Sequence, residues 1–368
     1  MDKLILNDGS YDKIDKKELK ENNHAKSLSD SKFKDYYDIS VKDLPFTRIE
    51  LDNMPKLEYK ELNITDRSTR HFGQRKLLLS EIEFLTLMYS KFELNKDKKV
   101  ILLYVGAAPG YHIPILINMF PNLHCHLFDP ANFAISNQKN IKIFQEFFTD
   151  KHINKYYKKA QKKPILFVSD IRDPFYDNTK SDQLQNDMRL QKEWVLGIKP
   201  LGAMFKFRLL FDDNQTEYIY GDSYLPVWGP LTTTETRLIC DKDDTNDWNK
   251  FKMYSNRDHE QRMMYFNNCY RMNLFNHNVN NVPGICHCYD CTSEVIIINN
   301  YIQLMDPKVK ITNKLIGEWM NKISVITKRK LTDSNADFKQ RQKHMRERKS
   351  KSEALKGYDE YIKNNFKL

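Results

Sequence analysis

The chain has 368 residues, 40% of them hydrophobic, and a net charge of +10. That is apolar material enough for one full-sized core. No window approaches the roughly 18 consecutive apolar residues of a membrane span and the first turn of sequence holds no signal-peptide core, so the chain reads as soluble and intracellular, with no membrane partner.

Residues 1–45 are charged, Asn-rich and aperiodic, and read as a flexible arm. From "HFGQRKLLLSEIEFLTLMYSKF" onward the spacing of Leu77, Leu78, Glu81 and Leu85 predicts an amphipathic helix. Strand candidates follow at 100–105, 124–129, 141–148, 164–170, 202–207 and 236–240, with helix-like segments at 111–120, 150–163 and 182–198. This alternation predicts an α/β fold over residues 46–327, with a mostly parallel central sheet and helices on both faces. The tail, 328–368, holds 13 Lys and Arg against 6 Asp and Glu, leaving 46 against 43 elsewhere. The body is therefore close to neutral, and the tail reads as a basic, solvated extension able to attract phosphates. Six cysteines are too sparse for a secreted disulfide framework, so reduced thiols are expected.

In a parallel α/β sheet the ligand crevice lies at the carboxyl ends of the strands. There the first strong strand, "VILLYV", runs into the turn "GAAPG", where Gly106 and Gly110 can take positive φ and let backbone approach a ligand. The turn lacks the Lys-Ser/Thr pair of a phosphate loop and the Gly-x-Gly-x-x-Gly spacing of a dinucleotide site. Asp129, some twenty residues on, stands where an acidic side chain can accept from a ribose diol; capping the turn before Pro130 is the plain alternative. Asp170 ends the fourth strand candidate, and Lys206 is a charge inside the apolar strand "GAMFKF". A lysine in that position is costly unless paired, solvated or used. Lys76 and Glu235 complete an ordered set of Lys, Asp, Lys and Glu.

The motifs "GQRKLLLSE", "YVGAAPGYHI", "ILFVSDIRD", "MFKFR" and "TETRL", in this order within residues 57–300, resemble the poxvirus-type cap-specific mRNA 2′-O-methyltransferases. Members of that family also serve as the small regulatory subunit of viral poly(A) polymerase, and the Asn- and Lys-rich composition suits a member from a large DNA virus. The resemblance implies a Rossmann-like S-adenosylmethionine-dependent methyltransferase with N- and C-terminal extensions. It further implies capped mRNA as substrate, the poly(A) polymerase catalytic subunit as partner, and a place in the viral particle and host cytoplasm. By motif, Lys76, Asp170, Lys206 and Glu235 would be the catalytic tetrad, with Lys206 as the base. Gln74, Leu77, Tyr104, Gly106, Gly110, His112 and Asp129 would hold the cofactor; Ala131 departs from the poxvirus pattern, which has a basic residue there. Tyr59, Phe211, Asp213 and Glu260 would hold the methylated guanine of the cap. Arg208 and the lysines at 155–163 would contact phosphates, although a run such as "KYYKKAQKK" also suits a solvated helix face. The resemblance leaves two other functions open, a noncatalytic processivity factor and a ribosomal RNA methyltransferase.

The segment "CHCYDC" groups Cys286, His287, Cys288 and Cys291, with His277 upstream. Thiolates so close could bind zinc, but the spacing is not that of a standard finger and the poxvirus relatives have no such cluster. Buried inert thiols, and no metal, are expected.

Overall fold

A computed structural model describes residues 45–58, 72–95, 99–171, 180–230, 233–242, 248–272, 275, 277–279 and 282–332. The arm expected over 1–45 and the tail beyond 332 lie almost wholly outside these residues. The packed body runs through the start of that tail, because Arg329 and Leu331 are each only 4% exposed.

A first helix, α1 (Gly73–Lys91), leads into β1 (Val100–Val105), α2 (Ile113–Met119), β2 (Leu123–Phe128), β3 (Ile141–Phe144), α3 (Asp150–Ala160), β4 (Ile165–Ser169), α4 (Lys180–Ile198) and β5 (Gly202–Phe207). Then come β6 (Gln215–Ile219), β7 (Asp222–Tyr224), β8 (Thr236–Asp241), β9 (Phe251–Ser255), α5 (Asn256–Asn268), α6 (Tyr289–Met305) and α7 (Asn313–Ile326). Seven strands form one sheet in the order β3-β2-β1-β4-β5-β8-β7. The first five in that order are mutually parallel, and β8 runs antiparallel between β5 and β7. The arrangement is the Rossmann-like α/β fold, and among the described residues no helix is long and apolar enough to cross a membrane.

Alternation along β1 shows why both faces are covered. Val100, Leu102 and Tyr104 join one buried cluster with residues of α1, α2, α6 and α7. Ile101, Leu103 and Val105 join another with residues of α3 and α4 and with Tyr218 and Tyr254 of the β6–β9 ribbon. Every residue of β1 is buried, as a strand covered on both faces requires. The strand expected over 141–148 stops at Phe144, which frees residues 145–148 as a loop.

Two buried ion pairs fix α6 to this frame. Arg75 of α1 forks onto Glu294 of α6, with both side chains fully buried, and Trp228 Nε1 donates to the same carboxylate at 2.7 Å. Asp290 of α6 accepts from Arg271 Nε at 3.0 Å and from the Trp228 amide at 2.8 Å, while Arg271 also donates to the carbonyl of Gly229 at 2.8 Å. Breaking one partner of such a buried pair costs about 3–5 kcal/mol. The segment from Trp228 toward β8 is thereby held from below by α6.

Candidate active site

Strand order reverses between β1 and β4, and a cleft of about 760 Å³ opens at the carboxyl ends of these strands. Lys76, from the first turn of α1, Asp170, after β4, Lys206, near the end of β5, and Glu235, just before β8, all line it. Lys76 Nζ donates to Glu235 Oε1 at 2.6 Å, and Lys206 Nζ lies 3.4 Å from Asp170 Oδ1. A fifth residue, which no sequence motif singles out, joins the two pairs. Arg237 donates to Glu235 Oε1 at 3.1 Å and to Asp170 Oδ1 at 3.0 Å.

The antiparallel strand makes this convergence possible. Because β8 starts where β5 ends, Lys206 and Arg237 are cross-strand partners, and Glu235 arrives at the same end of the sheet. A parallel β8 would have put them at the amino ends. Asp170 is set by a close approach of backbone. Gly106 has φ +81°, and a Cβ there would stand 2.8 Å from the Asp170 carbonyl carbon, so only glycine admits that contact.

The five side chains are 7–22% exposed, so their charges interact through little water. Burial depresses the Lys76 ammonium, and Arg237 adds repulsion, against the pull of Glu235 and Asp170. Burial alone would raise the Glu235 carboxyl, but Arg237, Lys76 and Lys206 together hold it well below the usual carboxylate range. Burial opposes the charge of Arg237 as well, and Asp170 and Glu235 outweigh it. Lys76, Lys206 and Arg237 against Asp170 and Glu235 leave one positive charge in excess. One proton can therefore leave the cluster without stranding a carboxylate.

Of the expected cofactor contacts, Gln74, Leu77, Gly106 and Asp129 line the same cleft. Tyr104, Gly110 and His112 do not. Tyr104 points to the α1 face of the sheet, fully buried, and donates to Glu81 Oε1 at 2.8 Å; the buried His112 Nε2 lies 2.8 Å from the same oxygen. Gly110, with φ +73°, closes the turn over Ile135. These three shape the floor beneath the glycine turn rather than its open side. Asp129 faces the cleft and also braces that turn, accepting from the amides of Ala108 at 3.0 Å and Ala131 at 2.8 Å. An apolar wall of Pro130, Phe147, Phe148, Ile171 and Trp194 completes the cleft, and Phe147 is 62% exposed. Phe147 is hidden in the sequence because the run "IKIFQEFF" reads as strand throughout, whereas its second half is loop.

A second, smaller hollow of about 230 Å³ brings Phe211, Asp213 and Glu260 together with Glu58 and Arg257. The Phe211 ring is 54% exposed, and the Arg208 guanidinium carbon lies 4.7 Å from its centroid. Arg257 donates to Asp213 Oδ1 at 2.7 Å and also pairs with Glu58. Tyr59, the other expected ring, lies outside the described residues. Partial burial raises the Glu260 carboxyl, with Arg257 opposing and Glu58 reinforcing the shift.

The lysines of α3 and of the turn after it line neither hollow. Lys158, Lys159, Lys162 and Lys163 meet Lys99, Lys139 and Lys142 in a basin of about 310 Å³. Lys99 precedes β1, Lys139 precedes β3 and Lys163 precedes β4, so the basin sits at the amino ends of the parallel strands, opposite the cleft.

Glu50, from a segment far away in sequence, buttresses the Glu235 side of the cleft. It accepts from Arg262 Nε at 2.6 Å and Ser223 Oγ at 2.9 Å and bonds His259 Nδ1 at 2.8 Å, while His259 Nε2 bonds the carbonyl of Thr234 at 2.9 Å. Burial would raise the Glu50 carboxyl, yet His259 and Arg262 hold it down at about 2.

A family model described as the poly A polymerase regulatory subunit matches residues 43–333. The chain belongs to that family. Among its relatives, a fowlpox virus protein named cap-specific mRNA (nucleoside-2′-O-)-methyltransferase is 30% identical over 190 residues, which cover 49% of this chain and 61% of the fowlpox protein. A myxoma virus (strain Lausanne) protein of the same name is 25% identical over 246 residues, 62% of this chain and 70% of its own length. The matches thus span about three fifths to seven tenths of those relatives. Among solved structures, bluetongue virus VP4, described as a multifunctional RNA-capping production-line, superposes with a TM-score of 0.39 and 14% identity over 66% of this chain and 37% of that one. So loose a likeness carries no argument.

Proposed function

We propose that this poly(A) polymerase regulatory-subunit family member is a cap-specific mRNA 2′-O-methyltransferase that uses S-adenosylmethionine. The observation that carries the reading is the cluster of Lys76, Asp170, Lys206, Glu235 and Arg237 beside a cleft with a glycine turn and an acidic residue after β2. The cleft suits the cofactor. Gln74, Leu77, Gly106 and Asp129 offer polar and backbone contacts on one side, and Pro130, Phe147 and Phe148 offer a flat apolar surface for a purine on the other. When bound, S-adenosylmethionine supplies a methyl group on a cationic sulfur that a ribose oxygen can take.

This chain's part is to prepare that oxygen. A ribose 2′-hydroxyl is far too weak an acid to attack unaided and must lose its proton as it reacts. Lys206 is assigned as the acceptor. Its contact with Asp170 is the looser of the two lysine pairings, and Asp170 Oδ1 already satisfies Arg237. Lys76 stays locked on Glu235 at 2.6 Å and supplies positive charge near the developing oxyanion. Arg237 gives the cluster its excess charge, so that Lys206 in neutral form leaves the site balanced.

Substrate choice is assigned to the smaller hollow. An exposed Phe211 ring beside Asp213, Glu260 and Glu58 suits a flat cationic base, since the ring face attracts a cation and the carboxylates pair with its edge. A methylated guanine has that character, whereas an internal ribosomal nucleotide does not. Family membership further supports association with the catalytic subunit of poly(A) polymerase, and the lysine basin offers a second anionic contact outside the cleft. Action in the virion and host cytoplasm fits that pairing.

The test is transfer of labelled methyl from S-adenosylmethionine to capped and uncapped RNA of one sequence. Transfer to the capped RNA alone supports the proposal. Equal transfer to both would favour a ribosomal-type substrate, and no transfer, with polymerase extension still stimulated, would favour the noncatalytic processivity factor.

A further inference from the structure

The cysteine motif plays no part in the cleft. In the fold, Cys286 precedes α6, Cys288 is its N-cap residue and Cys291 lies in its first turn. Their sulfurs all lie within 4.8 Å of one another, and the Cys286 and Cys291 sulfurs are 3.7 Å apart. Zinc held by thiolates at about 2.3 Å in a tetrahedron separates its sulfurs by about 3.8 Å. A disulfide needs a bond of about 2.05 Å, and three sulfurs cannot all be paired.

The surroundings suit a cation ringed by thiolates. Cys288 and Cys291 are fully buried and Cys286 is half-buried, so the site is dry on two sides and reachable from the third. The cluster sits at the very start of α6, a helix of 17 residues, with Cys288 as its N-cap residue and Cys291 one turn along. Gly284 allows the incoming strand to fold tightly here: it has φ +82°, and a Cβ would stand 2.7 Å from Leu331 Cβ.

We propose that Cys286, Cys288 and Cys291 form a three-thiolate zinc site that staples the start of α6 to the 284–286 turn. Each thiol gives up its proton to solvent as its sulfur binds. His277 is not the fourth ligand, because its Nε2 bonds the Cys286 carbonyl at 3.0 Å and its Nδ1 accepts from the Val279 amide at 3.2 Å. His287 uses Nδ1 on the Phe275 carbonyl at 3.2 Å and offers no nitrogen within 4.8 Å of all three sulfurs, which leaves the fourth position to a water. The staple bears on the cleft only indirectly: Asp290, one residue before Cys291, holds Trp228 and Arg271. Its role is positioning, and it stands independently of the methyl-transfer proposal.

The full chain, purified without a metal-binding tag from zinc-supplemented cells, should carry about one zinc ion per molecule by elemental mass spectrometry. Exchange into cobalt(II) should give the intense visible bands of tetrahedral cobalt and a thiolate charge-transfer band in the near ultraviolet. Cys286→Ser should lose most of the metal and weaken the charge-transfer band, while Cys269→Ser, away from the cluster, should keep both. If Cys286→Ser fails to fold, titrating the unmutated chain with a mercurial should release the zinc as about three thiols react. His287→Ala should keep the metal, since a water fills the fourth position. A metal-free chain with six titratable thiols, or a Cys286–Cys291 disulfide in freshly isolated protein, would overturn the proposal.

Discussion

The two ends of the central sheet are built from the same kinds of side chain and do opposite things with them. At the carboxyl end every cation of the cleft has a carboxylate within 3.4 Å, and the whole cluster carries a surplus of one charge. At the amino end seven lysines line one basin, and among the described residues no carboxylate lines it. The consequence is visible in the histidines there. Burial first, and then Lys159 and Lys142, push His126 down to about 3, and burial with Lys99 and Lys139 lowers His124. Compensated charge that is nearly dehydrated is poised for chemistry at one atom. Uncompensated charge in water is poised to attract a polyanion of any sequence.

The comparison is broken most directly at Lys206. Lys206→Met removes the assigned base while keeping the bulk of the side chain, and kcat for methyl transfer should fall by about 10³-fold, within the usual range for a general base. Binding of capped RNA should hardly change, so the loss is read in single-turnover kinetics. A loss of less than tenfold would move the base elsewhere.

Next in size is the acid sensitivity of the cleft end. Glu50 has a folded value of about 2 against an ordinary 4.5, so its contribution is fully present above pH 4.5 and disappears as the pH falls through 2. At about 1.4 kcal/mol per pH unit that contribution amounts to about 3–4 kcal/mol. Denaturant titrations of the unmutated chain should show that decline in full, and Glu50→Gln should flatten it at the cost of stability at pH 7.

Arg237→Leu sharpens the electrostatic half of the argument. It leaves Lys76, Lys206, Asp170 and Glu235 in even balance and removes the reason for a proton to leave. The rate should drop by about 30-fold, and Arg237→Lys, which restores the charge, should recover most of it. A merely structural role for the guanidinium fork would leave Arg237→Lys as slow as Arg237→Leu.

Much of this architecture is legible in the amino-acid sequence. The runs that form β1, β4 and β5 are nearly continuous and apolar, and a lysine inside one of them announces itself. What the sequence hides is long-range pairing. Arg237 looks like an ordinary polar alternation in "TETRL" until its cross-strand partner is known to be Lys206. Gly106 reads as an opening for a ligand, although the backbone of Asp170 already fills the space its missing Cβ leaves. Tyr104 and His112 read as contacts because they flank the glycine turn. Strand alternation instead sends Tyr104 beneath it, where it donates to Glu81, and His112 is buried beside the same carboxylate. Glu50 and His259 are invisible for the same reason as Arg237: periodicity reports which face a residue takes, not which distant residue meets it.

The smallest effect expected is at the amino end. Reversing Lys158, Lys159, Lys162 and Lys163 to Glu should leave methyl transfer to a capped dinucleotide within about twofold, because none of the four lines the cleft. Affinity for long RNA should weaken, with a shallower dependence on salt, since fewer counterions are released on binding. In the unmutated chain, RNA binding should raise the titration midpoint of His124 by neutralising its neighbours, a shift that nuclear magnetic resonance can follow. Loss of transfer to the dinucleotide would merge the two ends into one site.

The most direct measurement of the central claim is the position of the methyl group. Capped RNA treated with the full chain and S-adenosylmethionine, then digested and resolved by mass spectrometry, should carry a single new methyl on the 2′ oxygen of the first transcribed nucleotide. Methylation of a base, methylation spread along the strand, or recovery of unchanged RNA from an enzyme shown to bind both substrates would contradict it.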